Sequence, residues 1–89
     1  MPLATINPVQ LFEDMGDIHF AMMDGETKQP CIVTFDYLQD RARAEGARLG
    51  DEGLSCEEAY LAFRDEIESL ASQKYDTGER PPRIGLSDL

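Results

Sequence analysis

Along the chain, apolar residues alternate with others at Ile18, Phe20 and Met22, and again at Cys31 and Val33, on either side of Asp24-Gly25. Period-two alternation flanking Asp-Gly is the short-range signature of a β-hairpin. A two-residue loop would set Met23 opposite Glu26; a four-residue loop through Thr27 would set it opposite Lys28. The two registers differ by an even number of residues, so both keep Ile18, Phe20, Met22, Cys31 and Val33 on one face. The longer loop pairs Phe20 with Cys31 and Ile18 with Val33, the better apolar match, and is preferred. Strands are thus expected over about 17–23 and 29–34. The reverse face would carry His19, Ala21, Met23, Pro30 and Ile32, too apolar for an ordinary solvent face.

The pattern then changes period. Thr34 can cap a helix over about 35–45, in which Phe35, Leu38 and Ala42 form one stripe, Asp36 lies in the first turn, and Arg41 and Arg43 lie near the end. The glycine-broken, charged stretch from Gly46 to Gly53 reads as a loop. Ser55-Cys56-Glu57-Glu58 is a capping box opening a second helix over about 56–75. Its apolar stripe is Ala59, Phe63, Ile67, Leu70 and Ala71, and Gly78 lies just beyond as terminator. Pro81-Pro82 leads into a short strand over about 83–86. Residues 1–16 read as a loosely ordered lead-in, with a turn at Asn7-Pro8 and a break at Gly16. The expectation is one α+β domain over 17–89: a small antiparallel sheet packed by two helices.

The charge narrows the classes of function. Eighteen acidic against eight basic residues give a net charge of −10, which repels a phosphate backbone and an anionic membrane. Nucleic-acid binding is therefore disfavoured, and no apolar run approaches the length of a membrane span. The start Met1-Pro2-Leu3-Ala4-Thr5 lacks the basic and apolar regions of a secretory signal. A cytoplasmic setting is expected, with Cys31 and Cys56 as free thiols.

The sequence also resembles a family of small bacterial proteins, domain of unknown function 1488. The residues that carry the likeness are Phe20 through Asp24-Gly25, then Cys31-Ile32-Val33-Thr34-Phe35-Asp36-Tyr37-Leu38. Further on they are Phe63-Arg64-Asp65-Glu66-Ile67-Glu68, Ala71-Ser72-Gln73-Lys74-Tyr75 and the segment around Ile84. The resemblance spans roughly residues 17–89 and implies strands packed by helices; it brings no catalytic motif.

Candidate chemistry is sparse. His19 is the single imidazole, and its strand position alternates with the core face. Cys31 is expected to be a buried thiol, whereas Cys56 opens a helix whose dipole favours a thiolate, opposed by Glu57 and Glu58. Glu57, Asp65, Glu66 and Glu68 have the spacing of a solvated helix face, and no metal or cofactor motif is present. Arg64 and Lys74 border the apolar stripe of the second helix, where they cover the core edge or, with Tyr60 or Tyr75, bind an anion. The C-terminal Ser87-Asp88-Leu89 has the form of a carboxylate captured by strand-adding domains, a short and unspecific match.

Three functions follow from these residues. The first is a non-catalytic interaction or regulatory module whose surface is His19, Ala21, Met23 and Ile32, covered by a second copy or another protein. The second is an acidic regulator that meets a basic partner by mimicking nucleic acid, with its carboxylates along one ridge. The third is a small enzyme using His19 or Cys56, which requires the fold to bring them together.

Overall fold

The computed structural model describes residues 3–50 and 52–88. Its elements are β1 (Leu11–Asp14), β2 (Asp17–Asp24), β3 (Thr27–Val33), α1 (Phe35–Ala44), α2 (Cys56–Ala62), α3 (Arg64–Asp76) and β4 (Arg83–Ile84), followed by a 3₁₀ turn at Leu86–Asp88. The strands form one sheet in the order β1-β2-β3-β4, with the helices on one side. The fold is a small α+β domain.

The hairpin has the register of the better apolar match: Ile18 pairs with Val33, Phe20 with Cys31 and Met23 with Lys28. Asp24 also pairs with Thr27, so the turn itself is only Gly25 and Glu26. Gly25 has a φ of 64°, the sign that a two-residue hairpin turn demands of its first central residue. Ile18, Phe20, Met22, Cys31 and Val33 are all buried. They meet Tyr37 and Leu38 of α1, Tyr60 of α2, and Ile67 and Ala71 of α3.

Both helix starts form as their sequences dictate. The Thr34 hydroxyl accepts the Tyr37 N–H, and the Asp17 carboxylate accepts the Phe35 N–H at 2.8 Å, tying β2 to the start of α1. At Ser55 the capping box is complete: its hydroxyl accepts the Glu58 N–H, and the Glu58 carboxylate accepts the Ser55 N–H, both at 3.0 Å.

Three features differ from the sequence reading. First, the lead-in contributes structure: β1 pairs antiparallel with β2, Leu3 is buried, and Ala4 exchanges backbone hydrogen bonds with Met23. The segment between is strapped to α3 by Arg64, whose guanidinium donates to the Ile6 carbonyl at 2.6 Å and the Thr5 hydroxyl at 2.7 Å. Second, the sheet is mixed, because the chain returns from three helices to lay β4 parallel to β3. Such a crossover is how parallel neighbours are joined. Third, the expected second helix is broken at Phe63 (φ −110°, ψ 19°) into α2, which covers β1 and β2, and α3, which reaches β4. One straight helix would not follow both ends of a twisted sheet. The Phe63 ring packs at the break beneath the Arg41 guanidinium, 4.7 Å from its centroid.

Candidate functional site

Strand parity decides which side chains point away from the helices. On β2 these are His19, Ala21 and Met23, while Asp17 at the strand's start turns its carboxylate to the Phe35 N–H of α1; on β3 they are Lys28, Pro30 and Ile32. Phe12 pairs with His19, His19 with Ile32, and Ile32 with Arg83, so Phe12, His19, Ile32 and Arg83 form one row across all four strands. Strand spacing makes that row roughly 14 Å long. Among the described residues, no helix packs on this face: the helical contacts with the core come from the opposite side.

The row is structured. Phe12 is 61% exposed, and its ring stacks on the His19 imidazole, 4.7 Å between centroids and 4° from parallel. His19 Nε2 also lies 3.9 Å from the exposed Asp14 carboxylate. The Lys28 ammonium reaches back over the sheet to donate to the Gln10 side-chain carbonyl at 2.7 Å. Between these two walls lies an open groove of about 550 Å³, lined by Gln10, Phe12, His19, Ala21, Lys28 and Pro30. Ala21 makes the groove by being small: its neighbours on both sides of the strand row carry longer side chains. Pro30 lies where β4 does not reach and lacks an N–H, which blunts the uncovered edge of β3.

Charge is distributed unevenly. Of the eight Lys and Arg residues, Arg41, Arg43, Arg48, Arg64 and Lys74 form ion pairs. Arg80 lies over the Tyr75 ring at 4.1 Å. Lys28 and Arg83 make no ion pair among the described residues, and both point from the open face. That face therefore carries Lys28 and Arg83 as well as Asp14, with the Glu79 carboxylate accepting the Arg83 N–H at 2.8 Å, in a chain of net charge −10.

The sequence-derived surface residues His19, Ala21, Met23 and Ile32 share this face and are each half-buried in the isolated chain, with the backbone of Ala4 alongside Met23. Phe12, Gln10, Lys28 and Arg83 were not among them. Lys28 could have been placed from the hairpin register; the other three come from β4 and the segment read as lead-in.

The remaining candidates lie elsewhere. Cys31 is in the core, where burial, reinforced by the Glu68 carboxylate, pushes its thiol up to about 12. Cys56 is also raised, by burial first and then by the carboxylates of Glu13 and Asp17. It sits on the helical side, so the sheet separates it from His19. Arg64 is engaged by Glu68 at 3.0 Å as well as by Thr5 and Ile6, and Tyr60 donates to the same Glu68. Lys74 pairs with Asp88 at 2.8 Å, and the Asp88 carboxylate accepts the Gly85 N–H. Burial alone would raise the Asp88 carboxyl, but Lys74 and the Gly85 N–H outweigh it and hold it below its ordinary value. Tyr75 donates to Asp24. The terminal Leu89 lies outside the described residues. Among the described residues, no three His, Cys, Asp or Glu side chains are grouped to hold a metal ion, and no helix is long and apolar enough to cross a membrane.

No curated protein and no solved structure matches the chain. A family model does, described as a protein of unknown function (DUF1488), over residues 10–84. That span takes in the whole sheet and all three helices, and the chain belongs to the DUF1488 family of proteins of unknown function.

Proposed function

We propose that this chain is a small, non-catalytic protein-interaction module of the cytoplasm that meets its partner through the open face of the sheet. One observation carries the reading: Phe12, Ala21, Pro30 and Ile32 share a face that no helix covers among the described residues, and the first three line an open groove of about 550 Å³. A sheet buried on one side only usually alternates to polar residues on the other. Here the alternation leads to apolar ones, the mark of a surface that another chain covers.

The other two readings have less support. A nucleic-acid mimic would gather its carboxylates along one ridge, whereas here they are spread over β1, the hairpin tip and all three helices. Several are also neutralised by Arg41, Arg64 and Lys74. An enzyme would need convergent groups, and His19 and Cys56 lie on opposite sides of the sheet.

The test is a photo-reactive phenylalanine placed at position 12, and in a second variant at Leu61, which is 51% exposed on α2. Illuminated in the cells that make the protein, the first is expected to form a discrete protein adduct and the second none. Absence of an adduct at position 12, or equal adducts at both positions, would overturn the proposal.

A further inference from the structure

Resting on that proposed interaction face, we infer that its occupant is a second copy of this chain, packed sheet to sheet about a two-fold axis parallel to the strands. The face carries the exposed Asp14 at its β1 end and the exposed Arg83 at its β4 end; the Arg83 guanidinium makes no ion pair among the described residues, while the Glu79 carboxylate accepts the Arg83 backbone N–H at 2.8 Å. Between them lie Phe12, His19, Ala21, Pro30 and Ile32, with Lys28 nearer the hairpin turn, where its ammonium donates to Gln10.

A two-fold axis lying between the faces and parallel to the strands exchanges the ends of the strand order. It lays β1 of one copy over β4 of the other, and β2 over β3. Each Arg83 then meets the other copy's Phe12, in the same cross-strand row, and Asp14, two residues along β1 and so about 7 Å away. Arg can lie on the aromatic face while its fork pairs with the carboxylate. In the middle, Ile32 meets His19, and Pro30 meets the small Ala21. The same patch thus fits itself, as an isologous interface requires. An axis along the row would instead stack β1 on β1 and β4 on β4, setting Phe12 against Phe12 and Arg83 against Arg83. In a chain of net charge −10, copies repel at most orientations, so a balanced face selects the one that docks. The product is a sandwich of two sheets with helices outside, each sheet covered on both sides.

Sedimentation equilibrium of the full chain tests this. The unaltered protein is expected to dimerise, more weakly as salt rises. Arg83→Glu and Asp14→Arg should each weaken dimerisation by about a hundredfold, because two symmetric contacts are lost together. The double variant Arg83→Glu/Asp14→Arg should recover most of that loss. Both side chains are exposed, and an unchanged circular dichroism spectrum and Tm will show that the variants fold. Three results would each overturn the inference: a monomer up to millimolar concentration, a dimer indifferent to both reversals, or a double variant as weak as the singles. A monomer whose position-12 probe still cross-links to a different protein overturns only the second copy as occupant; a monomer with no adduct overturns the interaction face as well.

Discussion

Replacing Tyr60 with alanine is expected to cost about 4 kcal/mol of folding stability, the loss typical of a fully buried aromatic. Tyr60 has no exposed surface and lies on α2 with its ring centroid 5.0 Å from that of Phe20 on β2, tilted by 43°. It is the large buried side chain of α2 in the cluster that joins the helices to the central hairpin. Its hydroxyl donates to Glu68 at 3.4 Å, a long contact, so Tyr60→Phe should cost only about 1 kcal/mol. The two variants separate packing from hydrogen bonding. Domains of this class have a total stability of about 5–15 kcal/mol, so Tyr60→Ala should lower the Tm by about 20 °C or leave the chain largely unfolded. Urea denaturation followed by circular dichroism checks both. Equal losses in the two variants would mean that the hydroxyl, and not the ring, holds α2 in place.

Arg64→Met is expected to cost about 3 kcal/mol, for a different reason. Arg64 joins three parts of the chain: its Nε donates to Glu68 on α3, and its Nη2 to Ile6 and Thr5 in the segment before β1. The Glu68 side chain is only 10% exposed, so removing the guanidinium leaves a nearly buried carboxylate without its cation. Arg64→Lys keeps a charge but loses the fork that spans both directions, and should fall between the two. The double variant Arg64→Met/Glu68→Met should recover much of the loss, since an apolar pair leaves no charge unpaired. Hydrogen exchange gives a second readout. The amides of Ala4 and Met23, which bond to each other's carbonyls, should lose protection in Arg64→Met well beyond any loss at Leu38 in α1. Uniform loss across the chain would show that Arg64 acts only on global stability and not as a strap.

Much of this fold was legible because its signals are local. The register of the hairpin follows from matching Phe20 to Cys31 and Ile18 to Val33, and the Ser55 box specifies its own hydrogen bonds. β1 was hidden because its turn is Met15-Gly16, where Met15 takes a φ of 54° in place of the usual Asn or Asp. Phe12 also points outward, so the strand lacks a normal alternation of buried and exposed residues. The break at Phe63 was invisible for another reason. An apolar residue in register with a helical stripe carries no local breaker, and the twist that α2 and α3 must follow belongs to the sheet.

The candidate surface divides in the same way. His19, Ala21, Met23 and Ile32 could be placed together by strand parity alone. Phe12 and Arg83 reach the face from opposite ends of the sequence, through one antiparallel and one parallel pairing that no periodicity predicts. They are also the residues that make the face directional, with an aromatic and acidic edge at β1 and a basic one at β4.

On the proposed function, another protein chain covers this face in the working state. Hydroxyl-radical footprinting, run in the producing cells and on the dilute isolated chain, tests it most directly. In the isolated chain Phe12 is 61% exposed, and Met15, at the neighbouring turn, is 96% exposed. Oxidation of Phe12 is expected to fall severalfold in the cell while Met15 and Leu61 remain as reactive as in isolation. Phe12 oxidised equally in both settings, or protection that falls on Leu61 and the helices instead, would contradict it.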